Sequence, residues 1–178
     1  MNYKINIQIA CEDKIPVNGK IIRHWLELTL KDHIQSGELT VRLTTMDEIK
    51  TLNATYRHQN KPTNVLAFPS QLPETIVLKY PLLGDLVICP GVLEQEHLDL
   101  NQPLIAHWAH IVIHGGLHLL GFDHMEEDEA ACMQAEEIRL LAILGFDNPY
   151  HHESQMAIEQ PNYEPHQTDK KINPEEDN

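Results

Sequence analysis

Three histidines, His114, His118 and His124, stand within eleven residues of one another, at a spacing that suits a metal site. The preceding run 104–113 is apolar and lacks proline and glycine, which predicts a buried helix entering the motif. Residues four apart share one helix face, so His114 and His118 can bind one ion at about 2.0–2.1 Å each. Gly121 can take the left-handed conformation that ends a helix, after which the chain can bring His124 back to the same point. Three neutral ligands with a free fourth position are typical of catalytic zinc sites, and the pattern predicts one.

Two further histidines leave the ligand set open. His110 and His107 precede His114 by four and seven residues, so on a helix they lie on nearly the same face. One of them could be a ligand in place of His124, or could orient a ligand through a hydrogen bond. A lone histidine on an apolar helix is usually an ordinary core or surface residue, but three at this spacing favour a metal site. Helical spacing alone does not choose between the ligand sets.

The elements around the motif alternate between strand and helix periodicity. Apolar runs predict strands at 4–10, 39–43, 65–70 and 84–89, and helical spacing predicts helices at 19–34, 45–57, 92–100, 103–120 and 126–144. Residues 75–80 are expected to form an edge strand, and Ser36-Gly37 a turn. The inward face of the last helix is predicted to consist of Cys132, Ala135, Ile138, Leu141 and Ala142. Strands interleaved with helices indicate an α/β or α+β single domain.

The motif and several other stretches resemble a known family. Residues 114–124 read HGGLHLLGFDH, which is similar to the H-G-x-L-H-L-x-G-Y-D-H signature of the YbeY family, bacterial metal-dependent endoribonucleases that act in ribosomal RNA maturation. The stretches 53–57, 61–69, 83–88 and 107–110 also resemble the family, in the same order. The resemblance covers roughly residues 1–150. It implies a small mixed sheet of about four strands with helices packed around it.

The resemblance also implies roles for individual residues. His114, His118 and His124 would hold one zinc ion (Zn2+) per chain, and Arg57 and His114 would be the catalytic residues. The implied activity is a zinc-dependent, single-strand-specific endoribonuclease for late ribosomal RNA maturation, at the 3′ end of 16S RNA, and for ribosome quality control. The expected partners are single-stranded ribosomal RNA and the ribosome or its small-subunit proteins. The expected location is the bacterial cytoplasm, with neither DNA nor a membrane involved.

Two positions depart from the family's pattern. Phe122 stands where the family usually has tyrosine, so a phenolic hydroxyl is missing beside Asp123 and His124. Asn64 stands where the family usually has aspartate, which removes a negative charge. Both changes concern hydrogen bonding around the site and leave the three histidines in place.

Arg57 ends the predicted helix that Thr45 and Glu48 open as a capping box. The segment 57–64 that follows is polar, holds two basic residues and no acidic one, and is interrupted by a proline. The guanidinium could hold a phosphate with two parallel hydrogen bonds. The plainer alternative is that Arg57 only caps its helix or pairs with an acidic residue such as Asp85.

The formal net charge of −14 opposes a polyanionic substrate at long range. Residues 153–178 carry −5 of this charge, which leaves −9 on the rest, so RNA binding has to come from local contacts or a partner. The polar, proline-containing residues 151–178 are expected to be a disordered acidic tail behind one zinc-dependent endoribonuclease domain of residues 1–150. His151 and His152 are expected to be ordinary tail residues.

The three cysteines, Cys11, Cys89 and Cys132, fit neither a zinc knuckle nor a disulfide framework. They are expected to be buried reduced thiols. No long apolar segment follows the first residues, so no signal peptide is predicted, and no apolar run reaches the length of a membrane span.

Two functions other than RNA cleavage stay open from the sequence. One is a zinc hydrolase of another substrate class, acting on peptides or small phosphoesters. The other is a noncatalytic ribosome assembly factor whose metal only fixes the loop. Gly115 occupies the position at which zinc peptidases of the H-E-x-x-H type carry their general base, which argues against peptide hydrolysis by that mechanism.

Overall fold

A four-stranded mixed sheet lies at the centre of the fold, which the computed structural model describes for residues 2–72, 76 and 78–150. Its strands are β1 (Asn2–Ile9), β2 (Ser36–Leu43), β3 (Val65–Pro69) and β4 (Leu82–Ile88). They are ordered β1-β2-β4-β3, with β1, β2 and β4 parallel and β3 antiparallel to β4. β3 is therefore an edge strand, and the predicted α/β class with a small mixed sheet is confirmed.

In the part of the chain that the structure describes, five helices are packed around this sheet. They are α1 (Gly19–Leu30), α2 (Met46–Arg57), α3 (Pro90–Asp99), α4 (Leu104–Leu119) and α5 (Glu127–Ile143). Asn18 caps α1, because its side-chain oxygen accepts hydrogen bonds from the N–H groups of Lys20 and Ile21 at 3.0 and 3.1 Å. In the described part of the chain no helix is both long and apolar enough to cross a membrane.

Of the two hydrogen bonds of the capping box predicted for α2, only the one accepted by Thr45 is formed. The Thr45 hydroxyl accepts from the N–H of Glu48 at 3.3 Å, as predicted. The Glu48 carboxylate instead accepts two bonds from Arg42, at 2.8 and 3.1 Å, and one from the Thr44 hydroxyl. Glu48 therefore fastens α2 to the end of β2 rather than to its own N-cap.

Successive residues of β4 face the two sides of the sheet and divide the core accordingly. Leu86 and Ile88 face the larger cluster, built mainly from α1, α4 and α5, whereas Val87 faces a smaller cluster that includes α2. Trp25 is 4% exposed within the larger cluster, so it is a core residue as predicted. The motif helix α4 is thus enclosed by the sheet, α1 and α5.

Several local predictions are wrong. Ser36 and Gly37 pair with β1 as the first residues of β2 and do not form a turn. The buried face of α5 consists of Met133, Glu137, Leu140 and Leu141, while Cys132, Ala135 and Ala142 are exposed. All three cysteines are free thiols, but only Cys89 is buried.

Two predictions fall wholly or partly outside the described residues. In the segment 75–80, the described residues 76 and 78–80 do not belong to a strand, and residues 75 and 77 are not described. The expectations for residues 151–178, including His151 and His152, lie outside the described part of the chain.

Candidate metal centre

The motif helix lies close against the sheet at Gly115 and close against α1 at Gly116. A Cβ atom on Gly115 would lie 3.0 Å from Leu86 Cδ2, and one on Gly116 would lie 3.1 Å from a Leu26 methyl carbon. Both distances are tighter than ordinary packing, so these positions face the core and permit the close approach of α4. His114 and His118 lie on the half-exposed side of the same helix.

The loop after α4 returns His124 to the two helix histidines. Gly121 has φ +91°, and the N–H of Phe122 donates to a carbonyl in the last turn of α4 at 3.1 Å, which fixes the reversal. The ring centroid of His124 lies 5.7 Å from that of His114 and 5.0 Å from that of His118. One nitrogen of each ring lies within 4.8 Å of the others, so the group could hold a metal ion.

Hydrogen bonds on the far side of the rings determine which nitrogens face the centre. His114 Nδ1 lies 2.7 Å from Glu137 Oε1, and His118 Nδ1 lies 2.9 Å from the carbonyl oxygen of Phe122. Both of these partners are acceptors, so each neutral ring carries its proton on Nδ1 and presents an unprotonated Nε2.

These two Nε2 atoms are 3.1 Å apart. They cannot hydrogen-bond to each other while both are unprotonated, and their lone pairs repel unless a cation lies between them. Two ligands at about 2.0–2.1 Å from a tetrahedral ion would be separated by about 3.3 Å, so the spacing fits one. Burial, followed by the neighbouring His114, holds the pKa of His118 below its ordinary value of 6.5, which keeps the ring neutral as metal ligation requires.

A buried carboxylate lies behind the first histidine. Glu137, on α5, is 1% exposed. Its Oε1 accepts from His114, while its Oε2 accepts from the Tyr150 hydroxyl and lies 3.6 Å from His110 Nε2. Burial raises the pKa of Glu137, but the nearby His110 and the hydrogen bonds from His114 and Tyr150 outweigh burial and lower the pKa to about 2. The side chain is therefore a carboxylate at neutral pH.

His110, His114 and Glu137 form a second group whose ligand atoms lie within 4.8 Å of one another. In this group, however, His114 contributes the Nδ1 that already donates to the carboxylate. His110 lies 3.2 Å from the Tyr150 hydroxyl through its Nε2. We therefore interpret the second group as a set of hydrogen-bonded residues that orients His114 and not as a metal site.

His107 belongs to a separate hydrogen-bonded group and is not among the three clustered histidines. Its Nε2 lies 2.9 Å from Glu96 Oε2 on α3, and the same carboxylate accepts from Asn64 Nδ2 at 3.0 and 3.3 Å. The Nδ1 of His107 is buried without a hydrogen-bond partner among the described residues. His107 thus ties α4 to α3 and to the loop before β3.

An open cleft of about 480 Å³ brings Arg57 together with the histidines. Its lining consists of Arg57, Ala67, Pro69, His118, Gly121, Phe122, Asp123, His124 and Met125. Arg57 ends α2 as predicted, and the buried Asn53 donates to the carbonyl of Lys61 at 2.8 Å, which holds the following loop against the helix. Within the described residues Arg57 has no ion pair, so the predicted alternative of pairing with Asp85 does not occur there.

Sequence reasoning missed Glu137 and Tyr150. Glu137 stands among other acidic residues of α5, and a hydrophobic pattern takes every glutamate as solvent-facing. A usable signal was the stripe Met133, Glu137, Leu140, Leu141, in which one glutamate occupies a position of the apolar face. Tyr150 follows the last helix by several residues, and its partner could not be inferred from spacing.

Both the sequence and the fold of the chain are similar to those of known proteins. The model of the family described as Endoribonuclease YbeY matches residues 6–145. Proteins named Endoribonuclease YbeY from Legionella pneumophila strains Corby, Lens and Paris are each 53% identical over 150 residues, covering 84% of this chain and 95% of theirs. A solution structure of TM1509 from Thermotoga maritima has a TM-score of 0.54 and 27% identity, covering 90% of this chain and 99% of that one. The chain therefore belongs to the YbeY endoribonuclease family.

Proposed function

We propose that the protein is a zinc-dependent endoribonuclease that cleaves single-stranded RNA in the late maturation of ribosomal RNA, at the 3′ end of 16S RNA, and in ribosome quality control. The observation that carries the proposal is one cleft in which a cationic side chain, Arg57, lies with His118 and His124 of the three-histidine group. The 53% identity to proteins named Endoribonuclease YbeY supports RNA as the substrate class.

In this proposal His114, His118 and His124 hold one zinc ion per chain. The unprotonated Nε2 atoms of His114 and His118, 3.1 Å apart, support this ligand set. The partners of His110, namely Tyr150 and Glu137, argue against exchanging it for His124. When bound, zinc supplies Lewis-acid chemistry by lowering the pKa of water and withdrawing charge from a phosphodiester oxygen.

Arg57 would hold the scissile phosphate in the same cleft. Its guanidinium can donate two parallel hydrogen bonds to phosphate oxygens and so fix the phosphorus at the histidines. It would also stabilise the negative charge that builds up in the in-line displacement. The absence of an ion pair of Arg57 within the described residues leaves the guanidinium available for this contact.

The charge distribution predicts how RNA would bind. With a net charge of −14 the protein gains little from nonspecific attraction to RNA. Arg57 and Lys61 belong to a basic loop whose fold is held by Asn53. Local contacts to a few phosphates should therefore dominate, and the affinity should depend only weakly on salt concentration.

Peptide hydrolysis by the H-E-x-x-H mechanism does not fit this helix. A Cβ at position 115 would contact Leu86 and Val65 at 3.0 and 3.3 Å, inside the core. A side chain at this position could not reach a substrate in the cleft, so the general base of that mechanism has no place there.

The test measures metal content and cleavage on the same purified, zinc-loaded sample. Substrates are a labelled single-stranded RNA, the same sequence as a duplex, a peptide library and a generic phosphodiester. We expect cleavage of the single-stranded RNA, lost in His118→Ala and retained in His97→Ala, which alters a histidine of α3 whose ring bonds to the carbonyl of Gln102. Cleavage of peptides, or equal cleavage in both variants, would contradict the proposal.

The ribosomal role needs a measurement in cells. When the His118→Ala variant replaces the wild-type protein, we expect precursor 16S RNA with an unprocessed 3′ end to accumulate. The His97→Ala variant should give normal 3′ ends. Normal ends in both strains would remove the ribosomal part of the proposal and leave the nuclease. Normal ends together with ribosome association of metal-free protein would instead favour a noncatalytic assembly factor.

A further inference from the structure

The segment after the last helix folds back onto the metal centre. Phe146 packs against the main core and its N–H donates to the carbonyl of Leu141 at 3.0 Å. Gln102 Nε2 donates to the carbonyl of Pro149 at 3.3 Å. These two anchors place the Tyr150 hydroxyl between His110 and Glu137.

We propose that Glu137 is a positioning residue for the metal site and that Tyr150 completes the site from outside the residues that the family model matches. That match ends at residue 145, so Tyr150 belongs to a part of this chain that the family model does not cover. The inference rests on the proposed zinc site and adds to it the residues that hold the first ligand in place.

The role of Glu137 follows from its two oxygens. Oε1 accepts the Nδ1 proton of His114 at 2.7 Å, which fixes the ring so that Nε2 faces the other two histidines. A carboxylate in this position also makes the imidazole a more basic ligand. Because the carboxylate is 1% exposed, it must be satisfied by other donors to remain charged and in place.

The other oxygen of Glu137, Oε2, is the one that lies near these donors. Oε2 accepts from the Tyr150 hydroxyl and lies 3.6 Å from His110 Nε2. The rings of His110 and Tyr150 are themselves packed edge to face, with centroids 5.5 Å apart. Movement of Tyr150 would therefore release one oxygen of Glu137 and, through the other, the orientation of His114.

Zinc affinity measured by competition with a chromogenic chelator tests the role of Glu137, with the absorption spectrum of the Co²⁺ form as a second readout. Glu137→Gln should weaken zinc binding by about 10–100-fold and shift the Co²⁺ bands. The matched control is Glu136→Gln, the same substitution at the next residue, whose carboxylate bonds to His33 and Arg139 instead. The control should bind zinc like the wild type.

Two further changes test Tyr150. Tyr150→Phe removes only the hydroxyl, which bonds to both Glu137 and His110. It should weaken zinc binding roughly threefold to tenfold, as expected for the loss of the hydrogen bond to Glu137. Tyr3→Phe is its control, because it removes a hydroxyl that donates to the carbonyl of Ile34 away from the site. A chain ending at residue 149 should weaken zinc binding at least as much as Tyr150→Phe, because it also removes the ring that packs against His110. A chain ending at residue 152 should bind zinc normally.

The outcomes separate this inference from the proposal beneath it. If His114→Ala and His118→Ala retain full zinc, the metal site itself is wrong. If those variants lose zinc while Glu137→Gln and Tyr150→Phe match the wild type in affinity and Co²⁺ spectrum, the positioning role is wrong. A variant that melts earlier but binds zinc and Co²⁺ normally when folded would show that the residue only stabilises the fold, which would also overturn the inference.

Discussion

The side chain of Arg57 can be removed with little effect on the fold, which makes it a sharp test of the proposed chemistry. Arg57 is exposed, is the last residue of α2, and has no ion pair within the described residues. The helix end is held by the backbone, since the left-handed His58 donates its N–H to the carbonyl of Asn53. We therefore expect Arg57→Ala to change the free energy of unfolding by less than about 0.5 kcal/mol.

The expected loss in rate is far larger. Removing one charged donor that holds the transition state costs about 2.7–4 kcal/mol, which is a factor of 10²–10³ in rate. Arg57→Lys should recover only part of this, because an ammonium cannot form the two parallel hydrogen bonds of a guanidinium. Single-turnover cleavage of a labelled single-stranded RNA measures the rate, and zinc content and thermal melting are measured on the same samples.

The control is Lys50→Ala, which removes one exposed positive charge from the same helix without touching the cleft lining. It should cleave RNA like the wild type. A folded, zinc-loaded Arg57→Ala that cleaves at the wild-type rate would refute the phosphate contact. A rate that falls in proportion to the folded fraction, and returns on cooling, would show instead that Arg57 is structural.

Four further predictions test separate parts of the structure. His124→Ala should lower the zinc content, measured by elemental analysis, below one ion per chain, and His110→Ala should retain more zinc than His124→Ala. If His110→Ala instead loses more zinc, His110 replaces His124 in the ligand set. Gly115→Ala should destabilise the protein by about 1–3 kcal/mol in urea unfolding, because its Cβ would lie 3.0 Å from Leu86, and an unchanged midpoint would show that α4 can shift freely. Hydrogen bonds from Arg42 and then Thr44 lower the pKa of Glu48 from its ordinary 4.5, so this stabilisation is present above pH 4.5 and is lost as pH falls through the lower folded pKa. Urea unfolding between pH 3 and 7 should therefore show a shallower acid loss for Glu48→Gln than for the wild type, and parallel curves would refute the linkage. Asn64→Asp should lower the melting temperature, and the double variant Asn64→Asp/Glu96→Gln should recover it. If the effects of the two changes simply add, the two side chains are not coupled.

Local pattern was enough for the elements that position the site. The apolar run before His114 and the conformational freedom of Gly121 predict α4 and its end, and the structure has both. The polar loop after Arg57 was predicted from a capping signal at Thr45 and from a proline, and it lies where expected. These features depend on residues close together in the chain, which is why sequence spacing could find them.

Features that depend on distant partners could not be found in this way. The partner of His114 is Glu137, on another helix, and the buried face of α5 was predicted wrongly because alanine and cysteine were counted as core residues while glutamate was not. The apolar residues of a helix predict its buried face only when no polar side chain has to be buried on that face. Here His114 has Glu137 as its acceptor, so a carboxylate occupies a buried position of α5 that a hydrophobic pattern would assign to an apolar residue.

The two departures from the family's pattern can be judged by which atoms the structure uses. Phe122 contributes its backbone carbonyl to His118, and its ring packs edge-on against His33 at a centroid distance of 5.3 Å. The carbonyl is present whichever side chain stands at this position, so the missing hydroxyl leaves the orientation of His118 intact.

Asn64 is different, because here the side chain itself makes the contact. Its amide donates to Glu96 at 3.0 Å, and the same carboxylate meets His107 at 2.9 Å, so an aspartate at position 64 would place two carboxylates against each other. Asparagine at residue 64 therefore lets this side chain donate to the carboxylate at residue 96. The pair keeps the loop after Arg57 attached to α3 and, through His107, to α4 at a point seven residues before His114.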